Sequence, residues 1–478
     1  MTTFAGESEF CNDTIAAIAT AEGAGGIGIV RISGPEAYAI ARRLFVRGPD
    51  SGLTAENQET AIPSHRLVHG YIREPTTSRV IDEVLLAAMK APKTYTREDV
   101  VEIHSHGGTL ILSKILGMVI CSGARLADPG EFTRRAYLNG RIDLSQAEAV
   151  ADIINARSDG ALAIAARQLQ GGLRLQIDDL CALIVEVLSD LEAAIEFPEE
   201  VEINLSRQRA GWIDSLENGI IVPIKHLLES VHRGRLIKEG VRLVIVGRPN
   251  VGKSSLMNVL VGKDKAIVTP IPGTTRDAVE GTLFIDNHAI HLADTAGLRE
   301  SDDPIEIIGM RKTRERLNEA DFILFVVDAQ FPWTTEDLAI LQNLDLGKTL
   351  LVFNKIDLVE ENWIPQCPKE MEQIDRVMIS AKNEIGLSKL KAVISHRCLQ
   401  SGEFQVQENI VTSVRHQGLL EVALDATSQA ADILKRHDGE ELVCLELEEA
   451  LLALGKITGD RSDERVLDSI FNKFCIGK

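Results

Sequence analysis

Aromatic side chains are scarce, 20 of 478 residues, with 3 Trp, 4 Tyr and 13 Phe. Cores must therefore be built mostly from Leu, Ile, Val and Ala, within a hydrophobic content of 45% that is ordinary for a chain burying real cores. Positive charge is also in deficit: 51 Lys and Arg stand against 71 Asp and Glu, a formal charge of −20. That argues against a surface coated in basic residues for gripping nucleic acid. A local basic patch, or a partner that supplies one, stays open. The seven cysteines (Cys11, Cys121, Cys181, Cys367, Cys398, Cys444 and Cys475) form no CxxC and no metal-like spacing. An odd number scattered over a large chain predicts reduced thiols in a cytosolic setting. No apolar run approaches the roughly 18 residues of a spanning helix. The opening "MTTFAGESEFCNDTIAAIAT" lacks the basic stretch and apolar core of a secretory signal. The expectation is a soluble, cytoplasmic protein with no membrane association.

At roughly 150 residues per domain, the length predicts about three domains. Residues 1–140 mix strand-like runs with Gly-rich turns, "GGIGIVRISG", "SRVIDEVLLAAMKAP" and "VVEIHSHGG" among them, as in a compact α+β domain. Residues 141–239 turn to Ala- and Leu-rich helix. There Leu173, Ile177, Leu180, Ile184, Val187 and Leu191 recur at three- and four-residue steps, one apolar face of a long helix. Helical texture returns over 399–478, as in "GLLEVALDATSQAADILK". Between the two, 240–398 alternates apolar strands ("VRLVIVG", "DFILFVVDA", "TLLVFNK") with helical stretches, the pattern of a parallel α/β sheet. The economical arrangement is multidomain: an N-terminal α+β domain, then an all-helical domain split in sequence by an inserted α/β domain. No repeat or low-complexity tract interrupts it.

The inserted domain carries recognisable chemistry. "GRPNVGKS" (Gly247–Ser254) fits GxxxxGK[ST] between the strand "RLVIV" and the helical run "SSLMNVLVG", the context this motif needs. Glycine lets the backbone amides of residues such as Asn250, Val251, Gly252 and Ser255 curl round phosphates at a helix N-terminus. Lys253 reaches the terminal phosphates, and the Ser254 hydroxyl is placed to ligate Mg²⁺. "DTAG" follows: Asp294 can reach Mg²⁺ through water, and Thr295, Ala296 and Gly297 can sense the γ-phosphate. In "NKID", Asn354 and Lys355 precede Asp357, whose carboxylate accepts two hydrogen bonds from guanine that adenine cannot offer. "SAK" (Ser380, Ala381, Lys382) supplies an amide for the guanine oxygen. This set specifies GTP in a Ras-like P-loop GTPase domain. In "GTTRD", Thr275 is the natural switch threonine for Mg²⁺.

Hydrolysis needs an oriented water, yet Leu298 follows "DTAG", where Ras-like proteins carry Gln. Glu300, Asp302, Asp303 and Glu306 are nearby acidic alternatives, and spacing does not choose among them. No arginine finger is evident. Asn250 can hold a monovalent cation through its amide oxygen or simply brace its own loop. "HSHGG" (His104, His106) lacks a third ligand at metal spacing, which points to two paired or exposed histidines.

"GRPNVGKSSLMNVL", "GTTRD", "DTAGLRE", "IEIIG", "NKID", "GGIGIVRISG", "PGEFTRRAYLNGRIDLSQAEAV" and the terminal "FCIGK" together resemble the MnmE (TrmE) family of tRNA-modification GTPases, from about residue 14 to the end. The GTPase motifs are widely shared; the N-terminal segments and "FCIGK" are far more specific. The resemblance implies a homodimer built through N-terminal domains and potassium-stimulated GTP hydrolysis. It also implies a heterotetramer with an FAD-containing partner of the MnmG (GidA) type. The implied reaction modifies C5 of wobble uridine in certain tRNAs with an aminomethyl or carboxymethylaminomethyl group. A 5-formyl- or methylene-tetrahydrofolate bound by the N-terminal domain is the implied carbon source.

Carried over by position, the resemblance makes Asn250 a K⁺ ligand with backbone oxygens of Thr269, Ile271 and Thr274, and Glu306 the residue that orients water. Its folate contacts fall on Arg31, Glu102, Lys478 and Arg141. At this last position other members can carry Lys, a change that keeps charge and alters geometry. Bottom-up, each of these four is equally an ion pair. Cys475 lies four residues from the end, but "CIGK" is a poor prenylation box, with Gly at an aliphatic position and Lys last. The resemblance makes it a participant in an active-site tail; a simply packed thiol is the alternative. A ribosome-assembly GTPase resembling Era or Der, and a regulatory scaffold that never handles folate, are the rival readings. Era and Der carry a KH-type or second GTPase domain, and neither is visible here.

Overall fold

The computed structural model describes residues 13–21, 23–48, 62–196, 205–262, 281–285, 288–294, 316–360, 362–365, 367–368, 373–398, 410–460 and 463–478. The chain divides into two compact units. One comprises Met1–Ile154, Gln168–Ile221 and Val422–Lys478; the other comprises Asn155–Arg167 and Val222–Glu421. No helix among the described residues is long and apolar enough to cross a membrane. The described thiols Cys121, Cys181, Cys367, Cys444 and Cys475 are unpaired.

The first unit opens with β1 (Ile15–Ile18), β2 (Gly25–Ser33), α1 (Ala37–Leu44), β3 (Phe45–Val46), β4 (Arg66–Arg73), β5 (Val80–Met89), β6 (Val100–Gly107), α2 (Thr109–Cys121), β7 (Arg125–Leu126) and α3 (Glu131–Leu138). The strands form one sheet in the order β3-β4-β5-β6-β2-β1-β7, antiparallel except for the β1–β7 edge. Strand alternation assigns the faces. Val30, Ile32, Leu86, Val101 and Ile103 point into a core closed by Ile40 and Leu44 of α1 and Leu112, Ile115 and Val119 of α2. Their neighbours in sequence, Arg31, Glu102 and His104, therefore face the other way. Residue 31 sits directly across from residue 102 in the β2–β6 register.

Helices complete this unit. In the 25-residue α6 (Gly172–Glu196), which follows α4 (Leu144–Asn155) and α5 (Asp159–Leu169), the buried residues are Leu173, Ile177, Leu180, Ile184, Val187, Leu188 and Leu191. That is the apolar face expected from the sequence, with Leu188 added. It packs against α13 (Glu440–Thr458), whose Val443, Leu447, Ala450, Leu454 and Ile457 recur at the same helical spacing. Of the remaining helices, α7 (Leu205–Asp214), most of α12 (Val414–Arg436) and α14 (Glu464–Phe471) belong to this unit, whereas α8 (Val222–Glu239), α9 (Lys253–Gly262), α10 (Thr335–Leu341), α11 (Leu387–Cys398) and most of α5 belong to the second.

The second unit holds a six-stranded sheet of β8 (Val241–Val246), β9 (Gly281–Ile285), β10 (His288–Asp294), β11 (Phe322–Asp328), β12 (Thr349–Asn354) and β13 (Arg376–Met378). The order is β13-β12-β11-β8-β10-β9, parallel except for the β9–β10 hairpin. Every residue of β11 and β12 is buried, as a parallel sheet covered on both faces requires. The chain leaves β8 toward opposite edges of the sheet. Such a strand is where ligands bind at the carboxyl ends of an open α/β sheet.

A buried ionic network ties α3 to the N-terminal sheet. Arg135, 3% exposed, donates to Glu131 Oε1 at 2.9 Å and to Asp13 Oδ1 at 2.6 Å, and meets Glu98 at 3.2 Å. Arg125 grips both Glu131 oxygens, at 2.7 and 3.0 Å. Burial opposes the charge on Glu131, but Arg125, the Asp128 amide and Arg135 outweigh it and hold the carboxyl below its usual 4.5. A depressed carboxyl contributes stability above its unfolded pKa and loses it as pH falls through the folded value. We therefore expect thermal unfolding of this unit to ease as pH drops below about 4.5. Glu131→Gln should lower stability at pH 7 by about 3–5 kcal/mol, leaving its arginines short of a buried anion. Melting scans at neutral and acid pH check both effects, and an unchanged Glu131→Gln midpoint would contradict them.

Candidate functional site

Two clusters of polar residues stand out, one in each unit. In the second unit the carboxyl ends of β8, β10, β11 and β12 carry the loop 247–252, Asp294, Asp328 and Asn354. Asp294 pairs with Ile245, so it ends β10 beside the start of that loop. The loop runs into α9, whose first residue is Lys253. The lysine ammonium donates to the carbonyls of Gly247 at 2.7 Å and Arg248 at 2.8 Å, lying across the loop's mouth. Asn250 takes a left-handed φ of 65° and, with Ser254 and Ser255, is exposed.

Asn354 joins the pieces. Its Nδ2 donates to Val251 O at 2.8 Å and its Oδ1 accepts from the Ala381 amide at 3.0 Å. One buried side chain thus fixes the phosphate-type loop against the 380–382 turn. Gly252 is required by this contact: φ is 98° and an added Cβ would lie 2.3 Å from Asn354 Nδ2. Ser380 caps the turn by accepting from the Asn383 amide at 3.1 Å, while Lys382 is exposed. Lys355, also left-handed at φ 67°, donates to Asp328 Oδ2 at 2.7 Å. Asp357 lies in the short 3₁₀ turn that follows. Thr269, Ile271, Thr274, Thr275, Thr295, Ala296, Gly297 and Glu306 lie outside the described residues.

In the first unit the chain's last residues meet the N-terminal sheet. Arg31 Nε donates to Glu102 Oε1 at 2.8 Å, and its Nη1 reaches Gly477 O at 3.4 Å. The same guanidinium lies 5.7 Å from the Tyr95 ring centre and 5.6 Å from that of Phe132. Arg141 approaches Tyr95 from its own position, 4.6 Å from the ring centre, and donates to Tyr95 O at 2.8 Å. The Phe132 amide donates to Lys478 O at 3.1 Å. Gly477 has φ 96° and a Cβ there would sit 2.2 Å from Ile18 O, so glycine alone lets the tail seat. Phe474 is buried, whereas Cys475 is exposed.

Arg31, Glu102, Arg141 and the tail thus share one neighbourhood, with Arg31 and Glu102 in an ion pair. Tyr95 and Phe132, the aromatic walls, escaped the sequence reading. Tyr95 belongs to no motif, and the one signal for Phe132 was its place in "PGEFTRRAY". His104 Nε2 lies 3.2 Å from Glu102, and His106 Nδ1 lies 2.8 Å from Asp82. Among the described residues no three His, Cys, Asp or Glu gather as a metal site.

The family model described as GTP-binding protein TrmE N-terminus matches residues 14–141. The one described as MnmE helical domain matches residues 144–475. A protein of Natranaerobius thermophilus named tRNA modification GTPase MnmE is 42% identical over 467 residues, covering 98% of this chain and 99% of that relative. One of the same name from Syntrophobacter fumaroxidans is 44% identical over 472 residues, covering 98% of each. The chain belongs to the MnmE (TrmE) family of tRNA modification GTPases.

Proposed function

We propose that this chain is a GTP hydrolase acting in tRNA modification, and that its N-terminal unit handles a one-carbon folate for the same reaction. The observation that carries the first part is the Asn354 joint, which holds Val251 and Ala381 in one frame. A phosphate loop and a base-recognition turn become parts of one pocket. The amides at the start of α9 and the Lys253 ammonium meet the phosphates. Asp357 accepts the guanine ring N–H and exocyclic amine, a pattern adenine lacks. Ser254 and Thr275 would hold Mg²⁺, with Asp294 reaching it through water. Asn250, exposed at the crest of its loop, would turn its amide oxygen to K⁺, with backbone oxygens of Thr269, Ile271 and Thr274. Held there, these cations would supply charge against the transferring phosphate in place of an arginine finger. Glu306 orients the water.

The Arg31–Glu102 pair, the Tyr95 and Phe132 rings, Arg141 and Lys478 suit a flat heterocycle carrying carboxylates. Such a ligand stacks on rings and pairs with cations. Bound there, 5-formyl- or methylene-tetrahydrofolate supplies the carbon unit. The chain's residues orient it, and the exposed Cys475 thiol stands at the same tail. Ile27, Leu67 and Leu85, exposed on the N-terminal sheet, support a homodimer formed through that domain. An FAD-containing partner of the MnmG type then completes the modification of C5 of wobble uridine. With a charge of −20 on this chain, much of the tRNA grip falls to that partner.

Three outcomes are expected. Asn354→Ala should weaken GTP and GDP binding by about 1–3 kcal/mol, because the Val251 carbonyl and Ala381 amide lose their shared partner; titration of both nucleotides measures it. Glu306→Ala should depress potassium-dependent GTP hydrolysis at least a hundredfold, within the usual contribution of a group that assists proton transfer. A wild-type rate in potassium would remove Glu306 from the mechanism. Nucleoside mass spectrometry of tRNA from cells lacking this protein should show loss of the wobble-uridine modification. Unchanged tRNA would favour a ribosome-assembly or scaffold role.

A further inference from the structure

Two buried carboxylates in the second unit belong to none of the GTP-site motifs. Both lie in one segment, Asp328–Asp337, which runs from the end of β11 into the first turn of α10. Asp328, 6% exposed, accepts from Lys355 Nζ at 2.7 Å and from the Gln330 amide at 3.1 Å. Asp337, 1% exposed, accepts from Arg248 Nε at 2.7 Å on one oxygen. Its other oxygen takes the Thr334 amide at 3.0 Å and the Thr334 hydroxyl at 2.9 Å, closing the capping box of α10.

A buried carboxylate needs a cation and fixed donors to stay charged. Here each cation comes from a different nucleotide-binding loop. Arg248 follows the first glycine of the phosphate loop, and its carbonyl receives the Lys253 ammonium at 2.8 Å. Lys355 follows Asn354 and sits in a backbone region that side-chain-bearing residues seldom adopt. Between the two carboxylates, Trp333 lies 6.0 Å from the Phe325 ring and 6.5 Å from that of Phe353, the residue before Asn354. The segment is therefore anchored in the core at its middle and grips one loop at each end.

We infer that Asp337 and Asp328 are positioning residues for the nucleotide: Asp337 sets the phosphate loop through Arg248, and Asp328 sets the guanine loop through Lys355. Neither touches the ligand. This rests on the GTP site proposed above and assigns it a brace that links the phosphate and base subsites.

Competition of GTP, GDP and GMP against a fluorescent GDP analogue on the full chain tests the assignment. Asp337→Asn keeps an oxygen for the Thr334 cap but removes the charge that holds Arg248. Its affinity should fall about tenfold for GTP and GDP, the loss of one charge-assisted contact, and much less for GMP. Asp328→Asn should weaken all three nucleotides by a similar factor. Arg248→Lys should recover part of what Arg248→Ala loses. A purely structural role predicts equal losses for all three nucleotides in Asp337→Asn, and in Asp328→Asn a loss that only follows the melting temperature; either result, or wild-type affinities in both, overturns the inference. If the wild-type chain instead fails to bind GDP, the GTP site itself is wrong, an outcome separable from the variants' behaviour.

Discussion

Residue 132 meets residue 478, and the rest of the first unit follows from that contact. The Phe132 amide donates to the last carbonyl, Arg31 reaches the carbonyl before it, and Gly477 seats against β1 only because it has no side chain. Tyr137, on the same short helix as Phe132, donates to Gly459 O at 2.7 Å. Arg134 of that helix pairs with Asp468 at 3.3 Å. One turn-and-helix segment thus receives the C-terminal helices along its length. In the same unit α6 packs against α13, although the α/β sheet lies between them in sequence. The α/β sheet is then an excursion in sequence between two halves of a helical framework.

The same contact decides what chemistry the N-terminal sheet can present. Strand alternation alone puts Arg31 and Glu102 on the face opposite α1 and α2. Docking of the tail adds a peptide carbonyl and the final lysine beside them, while Tyr95 and Phe132 supply ring faces. A site made this way is incomplete until the last residues are seated. The ionic network of Asp13, Glu98, Arg125, Glu131 and Arg135 ties the helix that seats them, which supplies Glu131 and Arg135, to the sheet. Its energy is therefore spent on holding the docking helix and not on the ligand. The candidate nucleotide site is organised differently, by Asn354 joining the 247–252 loop to the 380–382 turn and by two buried carboxylates that grip Arg248 and Lys355.

Much of the second unit was legible in the sequence because its signals are local. The apolar runs "RLVIV", "FILFVVD" and "TLLVFN" are strands, and the first and last of them lead directly into a motif at the carboxyl end. The long helix was legible for the same reason, since a 3.6-residue period is written in the chain. β9 and the hairpin it forms were not anticipated; its five residues carry too short a pattern. Pairs distant in sequence left no trace either. Arg248 and Asp337 are 89 residues apart, and Lys355 and Asp328 are 27 apart. Asp337 reads in sequence as an ordinary first-turn acidic residue. In the N-terminal sheet the charged residues read equally well as ion pairs. Arg31 and Glu102 do form one, so the same geometry serves either purpose until a ligand competes for it.

The tail is where this understanding of the molecule is most exposed to test. Removing residues 475–478 and measuring both tRNA wobble-uridine modification and GTP hydrolysis separates the two units' roles. Loss of modification with GTP hydrolysis retained is the expected result, because the tail's hydrogen bonds run to Arg31 and Phe132 within the first unit. Modification that persists without the tail would contradict it.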